Sequence, residues 1–180
     1  MRKPEVVLDS SCILALDAIS VLPLLASLFS RVLLPKAVRR ELFRRRATKN
    51  RIRALLREYA FIAHCDDYDQ TAVDVLLAER RVRGQKDRGE AESVVQASKQ
   101  AAAIIIDDPW GRKLAEKFSL QFGGTIWILR RLHGVGLLSA PEVRSGFETL
   151  LQRSFRLPRE AINALLKEIG QEPIKASGGG

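Results

Sequence analysis

Two short apolar runs, each closed by an aspartate, constrain the fold of this chain more than any other feature. Glu5 to Leu8 (EVVL) ends at Asp9, and Ala103 to Ile106 (AIII) ends at Asp107. Continuous apolar runs of this length between polar residues have the pattern of strands buried on both faces, as in a parallel sheet. Weaker runs of the same kind lie at Arg31 to Leu34, Phe61 to His64 and Leu120 to Phe122. Between them helical periodicity covers Cys12 to Phe29, Pro35 to Tyr59, Tyr68 to Arg83, Gly89 to Gln100, Pro109 to Lys117 and Thr125 to His133. Strands alternating with helices predict a three-layer α/β/α sandwich around a central, mainly parallel sheet over residues 1–138. Past Leu138, Ser139 and Glu142 make a capping box with Pro141 in the first turn, opening a helix to about Ser154. A second helix follows Pro158 and ends near Gly170. This strandless pair, residues 139–172, is read as a helical extension packed on the α/β body. Residues 173–180, ending in ASGGG, read as a disordered tail or a cloning scar.

The chain's 180 residues suffice for one domain with a substantial core. The apolar stretch from Ile13 to Phe29 is interrupted by Asp17 and Pro23 and falls short of the roughly 20 residues a membrane span needs, so no membrane partner is expected. Glu5 and Asp9 break any apolar leader after Arg2 and Lys3. Only Cys12 and Cys65 occur, neither at metal-ligand spacing, which fits a reduced cytoplasmic compartment and packing roles for both. The net charge of +9 is local: Lys36 to Arg57 holds ten basic residues against one acid, Glu41, and the rest of the chain is balanced. One strongly positive region suits a phosphate backbone, with Arg39, Arg40, Arg44, Arg45, Arg46, Lys49 and Arg51 as candidate contacts to it; the alternative is a solvated helix face.

Open parallel sheets place functional groups outside the carboxyl ends of their strands, where Asp9, Asp107 and Asp108 are expected. Asp9 is followed by Ser10 and Ser11, whose hydroxyls can bond a carboxylate, although taken alone Asp9 is better explained as the cap of the next helix, a common use of aspartate. Glu41 lies three residues after Val38, at the edge of the buried face marked by Val38 and Leu42, and among arginines it also offsets local repulsion. Asp87 and Glu90 have the spacing of a capping box. Glu90 shares a face with Val94, Ala97 and Ala101 and points inward, while Glu92 aligns with Gln96 and Lys99 and is expected to point outward. Carboxylates gathered at one site repel and take up protons unless a cation neutralises them, and oxygen ligands select Mg²⁺ or Mn²⁺. His64, Cys65 and His133 have no zinc spacing. Phosphodiester hydrolysis is the chemistry such a site serves.

These residues resemble the PIN-domain ribonucleases, a family that includes the VapC toxins of bacterial toxin–antitoxin pairs. The resemblance spans nearly the whole chain: VVLDSS with Asp9 and Ser11, PKAVRRE ending in Glu41, GEAESVVQAS with Glu90 at the third acid, and IIIDDPWGRKLA with Asp107 and Asp108. The later GGTIWILRRLHGVGLLS and the FRLPREAINALLKEIG tail are similar to a poorly characterised PIN-like subfamily. The resemblance implies catalysis by Asp9, Glu41, Glu90 and Asp107 or Asp108, and one or two Mg²⁺ or Mn²⁺ ions on Asp9, Glu90, Asp107 and Asp108. It further implies supporting roles for Ser11 and Thr125, an RNA substrate, and as further partners an antitoxin protein and a second copy of the chain. Two positions depart from the toxins: glutamate replaces aspartate at the third acid, and the usual threonine before the fourth is missing. Asp107 is favoured as the fourth acid because it lies directly at the strand end. Two other readings compete: a PIN-like module that binds RNA or protein and cuts weakly, and an aspartyl-phosphate domain, which would want an acid where Ser11 stands.

Overall fold

The computed structural model describes residues 3–44, 46–80 and 87–175, with the backbone alone for 46–48. Its sheet has five strands, all parallel, in the order β3-β2-β1-β4-β5: β1 (Glu5–Leu8), β2 (Arg31–Leu34), β3 (Ile62–His64), β4 (Ala103–Ile105) and β5 (Phe122–Gly123). Val6, Val7 and Leu8 are fully buried, as a central strand covered on both faces requires. Helices cover the two faces and divide the core. One side is built on Val6, Leu8, Leu16, Leu34, Leu42 and Ile128, the other on Val7, Leu33, Val94, Ile104, Ile106 and Leu114. This is the expected three-layer α/β/α sandwich. The chain belongs to that class with only local differences from the expected elements.

Helix α1 (Ser10–Ala18) and α2 (Leu25–Leu28) replace the single expected helix from Cys12 to Phe29. Ser20 takes a left-handed conformation (φ 59°), and Pro23 opens a 3-10 turn at Leu22–Leu24, so the helical hydrogen-bond ladder cannot run through. The two helices together have the length and composition of a membrane span but meet at a bend of 113°. Among the described residues no single helix is long and apolar enough to cross a membrane. The expected helix from Pro35 to Tyr59 is two helices, α3 (Lys36–Arg44) and α4 (Arg46–Glu58). Val38 and Leu42 are buried on the first, Ile52 and Leu55 on the second. On one straight helix those pairs would lie about a quarter turn apart around the axis, so a break lets both face the core.

Helices α5 (Gln70–Glu79) and α6 (Arg88–Gln100) form an antiparallel hairpin. Asp67, before α5, meets Lys99 and Gln100 at the end of α6, and Asp74 meets Arg88 at its start. The hairpin therefore returns to the carboxyl edge of the sheet at Arg80. Asp69 caps α5 through the amides of Thr71 and Ala72, so the helix begins later than Tyr68; Arg81, Val82 and Arg83 of the expected helix lie outside the described residues. After β4 come α7 (Pro109–Lys117), β5 and α8 (Thr125–Gly134), then α9 (Ala140–Gln152) with the expected Ser139–Glu142 capping box, and α10 (Arg159–Glu168). Phe147, Leu150, Ile162 and Leu166 on the last two helices are fully buried in the same cluster as Leu8 and Leu16. Ala176 to Gly180 lie outside the described residues.

Candidate active site

The sheet reverses direction between its two central strands. From β1 the chain winds outward through β2 to β3, then returns to β4 on the other flank of β1 and continues to β5. Such a switch point leaves a crevice beyond the carboxyl ends of the adjacent strands. Leu8 pairs with Ile105, and the Asp9 amide donates to the Ile105 carbonyl at 3.0 Å. Asp9 and Asp107 therefore leave the sheet side by side at that crevice.

Asp9 is both helix cap and buried acid. Its Oδ2 accepts from the Ser11 amide at 3.2 Å and the Ser11 hydroxyl at 2.6 Å. Its Oδ1 is buried with no hydrogen-bond partner, and the residue is only 2% exposed. Burial pushes the carboxyl pKa up, the bonds from Ser11 and Ser10 oppose that, and Asp107 adds to it. Asp107 is fixed on both oxygens: the Thr125 amide (3.0 Å) and Arg112 (3.4 Å) reach Oδ1, while the Thr125 hydroxyl (2.6 Å) and Cys12 thiol (3.3 Å) donate to Oδ2. Asp108 has a different job, since its Oδ1 accepts from the amides of Trp110 and Gly111 and caps α7.

Two glutamates complete the cluster. The Ser10 hydroxyl donates to Glu41 Oε2 at 2.6 Å, and Glu41 Oε1 lies so close to Gly89 that a Cβ there would come within 2.6 Å. That approach brings α3 against the first turn of α6, one residue from Glu90. A Cβ on Gly111 would lie 3.5 Å from the Glu90 Cβ, which puts the start of α7 on the other side of Glu90. Burial pushes the Glu90 carboxyl up to about 8, with Asp9, Glu41 and Asp108 contributing in that order. Glu41 is raised by burial and by Asp9 and Glu92, against Ser10 and Arg44. The structure thus brings Asp9, Glu41, Glu90, Asp107 and Asp108 to one edge, with Ser11 and Thr125 bonded to two of them.

Glu92 is a correction. Expected to face solvent, it is 2% exposed: it accepts from the Ala37 amide at 2.7 Å and from Arg88 at 2.9 Å, and bonds the Tyr68 hydroxyl, whose pKa burial and this bond push up. Gln96 is fully buried as well. Helix α6 is covered by α3, α5, α7 and the sheet over most of its length, so its polar stripe is buried at Glu92 and Gln96 and meets solvent at Lys99. The expected capping box at Asp87 and Glu90 is also absent: Asp87 is left-handed (φ 60°), makes no cap, and accepts from Arg80 instead.

The basic residues divide. Arg39 is half-buried, bonded to Asp66 and within 2.9 Å of His64 Nδ1, and Arg51 pairs with Asp17. Arg40 and Arg44 are exposed and Lys49 is half-exposed. Arg45 and the Arg46 side chain lie outside the described residues. Sequence reasoning missed Cys12, Arg112 and Gly124. A lone cysteine beside the first acid carried no signal, while the GGT preceding α8 marks the place where a Cβ on Gly124 would collide with Asp107 and Arg112.

Among the described residues no three acid, histidine or cysteine groups already close around one point as a formed metal cage. The residues nonetheless fit a hard divalent cation: a buried carboxylate oxygen without a donor, beside a glutamate that charge and burial hold partly protonated, lacks positive charge.

A parallel sheet with carboxylates collected at its switch point defines an α/β fold with an acidic site at its carboxyl edge. A family model described as a PIN domain matches residues 5–171, and the chain belongs to the PIN-domain family. PIN domains are generally nucleases and generally use divalent metal ions. No curated protein matches the chain.

Proposed function

We infer that this chain is a metal-dependent endoribonuclease, active in the cytoplasm and serving as the toxin of a toxin–antitoxin pair. The observation that carries the reading is Asp9 Oδ1, a buried and unpartnered carboxylate oxygen at the switch point, with Glu41, Glu90 and Asp107 around it. Asp9, Glu90 and Asp107 or Asp108 would hold Mg²⁺ or Mn²⁺, which supplies a water of lowered pKa and positive charge against the phosphate. The chain's own residues set the geometry. Ser11 fixes the Asp9 carboxylate, Ser10 fixes Glu41, and Thr125, Cys12 and Arg112 fix Asp107, so the acids need little reorganisation. Exposed Arg40 and Arg44 on α3 lie on the same helix as Glu41 and attract the RNA backbone.

A second reading has its own support. Both oxygens of Asp107 are already bonded and one of Asp108 caps a helix, which favours a PIN-like module that binds RNA or protein and cuts weakly. Incubation of purified protein with a pool of structured and unpaired RNA, in Mn²⁺, Mg²⁺ or EDTA and beside Asp9→Asn, separates the two. The nuclease reading expects cutting that needs metal and disappears in the variant. Binding without cutting in any metal would establish the module instead.

A further inference from the structure

Beside the acids, the structure stacks a cation on an aromatic ring with no evident need for one. Arg80 follows the end of α5 at the carboxyl edge of the sheet, and its guanidinium carbon lies 4.4 Å from the Trp110 ring centroid. Its Nε donates to Asp87, so the guanidinium plane is held by an ion pair along one edge and by an indole beneath it. Trp110 stands in the first turn of α7, its amide donating to Asp108 Oδ1 at 2.8 Å, and the next residue, Gly111, abuts Glu90. The stack is therefore within one helical turn of the acids. The Arg80 side chain is nevertheless 33% exposed. Both indoles pack on the core and both carry a guanidinium, Arg131 lying 5.2 Å from the Trp127 centroid; what sets Trp110 apart is its place beside Asp108, since Trp127 stands on α8, backed onto Gly123 and stacked on Phe29. Ion pairing to Asp87 needs only a charge, which a lysine would supply. A fixed, partly exposed guanidinium plane offers a flat face as well, and a flat cationic face takes a nucleobase.

We propose that the Arg80–Trp110 stack is a subsite for an unpaired nucleobase of the RNA strand whose phosphate lies at the acidic edge. The inference rests on RNA being the ligand of that edge. A base inside a duplex has both faces covered by its neighbours, so the subsite selects unpaired strands. The test uses the full chain in EDTA with two probes: decauridylate, and an abasic ribose-phosphate strand of the same length. The native protein is expected to bind decauridylate roughly ten- to hundredfold more tightly than the abasic strand. Arg80→Lys, which keeps the charge and loses the plane, and Trp110→Ala lose most of that preference while holding the abasic strand as before. The chain has two tryptophans. In Trp127→Phe the emission therefore reports Trp110 alone, and decauridylate should quench it where the abasic strand does not. Equal affinity of the native protein for the two strands, an unchanged preference in both variants, unaltered emission, or failure to bind either strand would each overturn the proposal. Cleavage in Mn²⁺ is scored separately: cutting without base preference leaves the nuclease reading standing and removes the subsite, and base preference without cutting does the reverse.

Discussion

The Oδ2 of Asp9 caps α1 through Ser11 while Oδ1 is buried without a donor, so the two oxygens of one residue answer to different needs. Asparagine caps about as well as aspartate and carries no charge to bury. Asp9→Asn should therefore melt in EDTA at the native temperature or above it. Mn²⁺ should raise the melting temperature of the native protein and leave the variant unmoved, and cleavage should fall at least about a hundredfold, the upper end of what losing a ligand's outer partner costs. Glu90 gives a pH prediction. Its folded pKa, about 8, exceeds the ordinary 4.5, so between those values the native state binds the proton more readily than the unfolded chain. Stability without metal is then highest at acidic pH and declines as pH rises through that window, by on the order of a few kcal/mol in total. Melting curves from pH 5 to 9 in EDTA should show this slope, and Glu90→Gln should flatten it. A native slope of the opposite sign would refute the assignment.

At the scale of elements, the two aspartates after β4 have separable roles. Asp108→Ala removes the cap of α7 and should cost about 1 kcal/mol in denaturant unfolding. Thr125→Ala strips Asp107 of its 2.6 Å hydroxyl donor and should cost about 1–3 kcal/mol, with Thr125→Ser restoring most of it. Much of this arrangement could be read before any coordinates. EVVL and AIII are buried parallel strands, and the acids expected at their ends are there, because a continuous apolar run followed by aspartate is a local pattern. Glu92 was misread because helical phase says which residues share a face and not what covers that face; only the packing of α3 on α6 decides it. The choice between Asp107 and Asp108 was legible only as far as the strand end, since their roles depend on Thr125 and on α7, which sequence proximity does not reveal. The break between α3 and α4 lay in the phase of Val38, Leu42, Ile52 and Leu55, a signal that a single periodic segment obscured.

For the whole molecule, the core under β1 runs without interruption into α9 and α10, where Phe147 is fully buried. Phe147→Ala should destabilise the entire chain by about 3–5 kcal/mol and leave a single unfolding transition; two transitions would mean that the C-terminal helices form an independent unit. A related continuity links the exposed arginines to the acids. Glu92 on α6 joins the Ala37 amide of α3, Arg88 and the Tyr68 hydroxyl, and on those two helices stand Glu41 and Glu90. The helix that exposes Arg40 and Arg44 is thereby bolted to the one that carries Glu90. If the proposed function holds, a pull on those arginines would pass through one buried carboxylate to the spacing of the acids. On that reading, how tightly the protein would grip a strand and how its acids stand toward one another are two readings of the same lever.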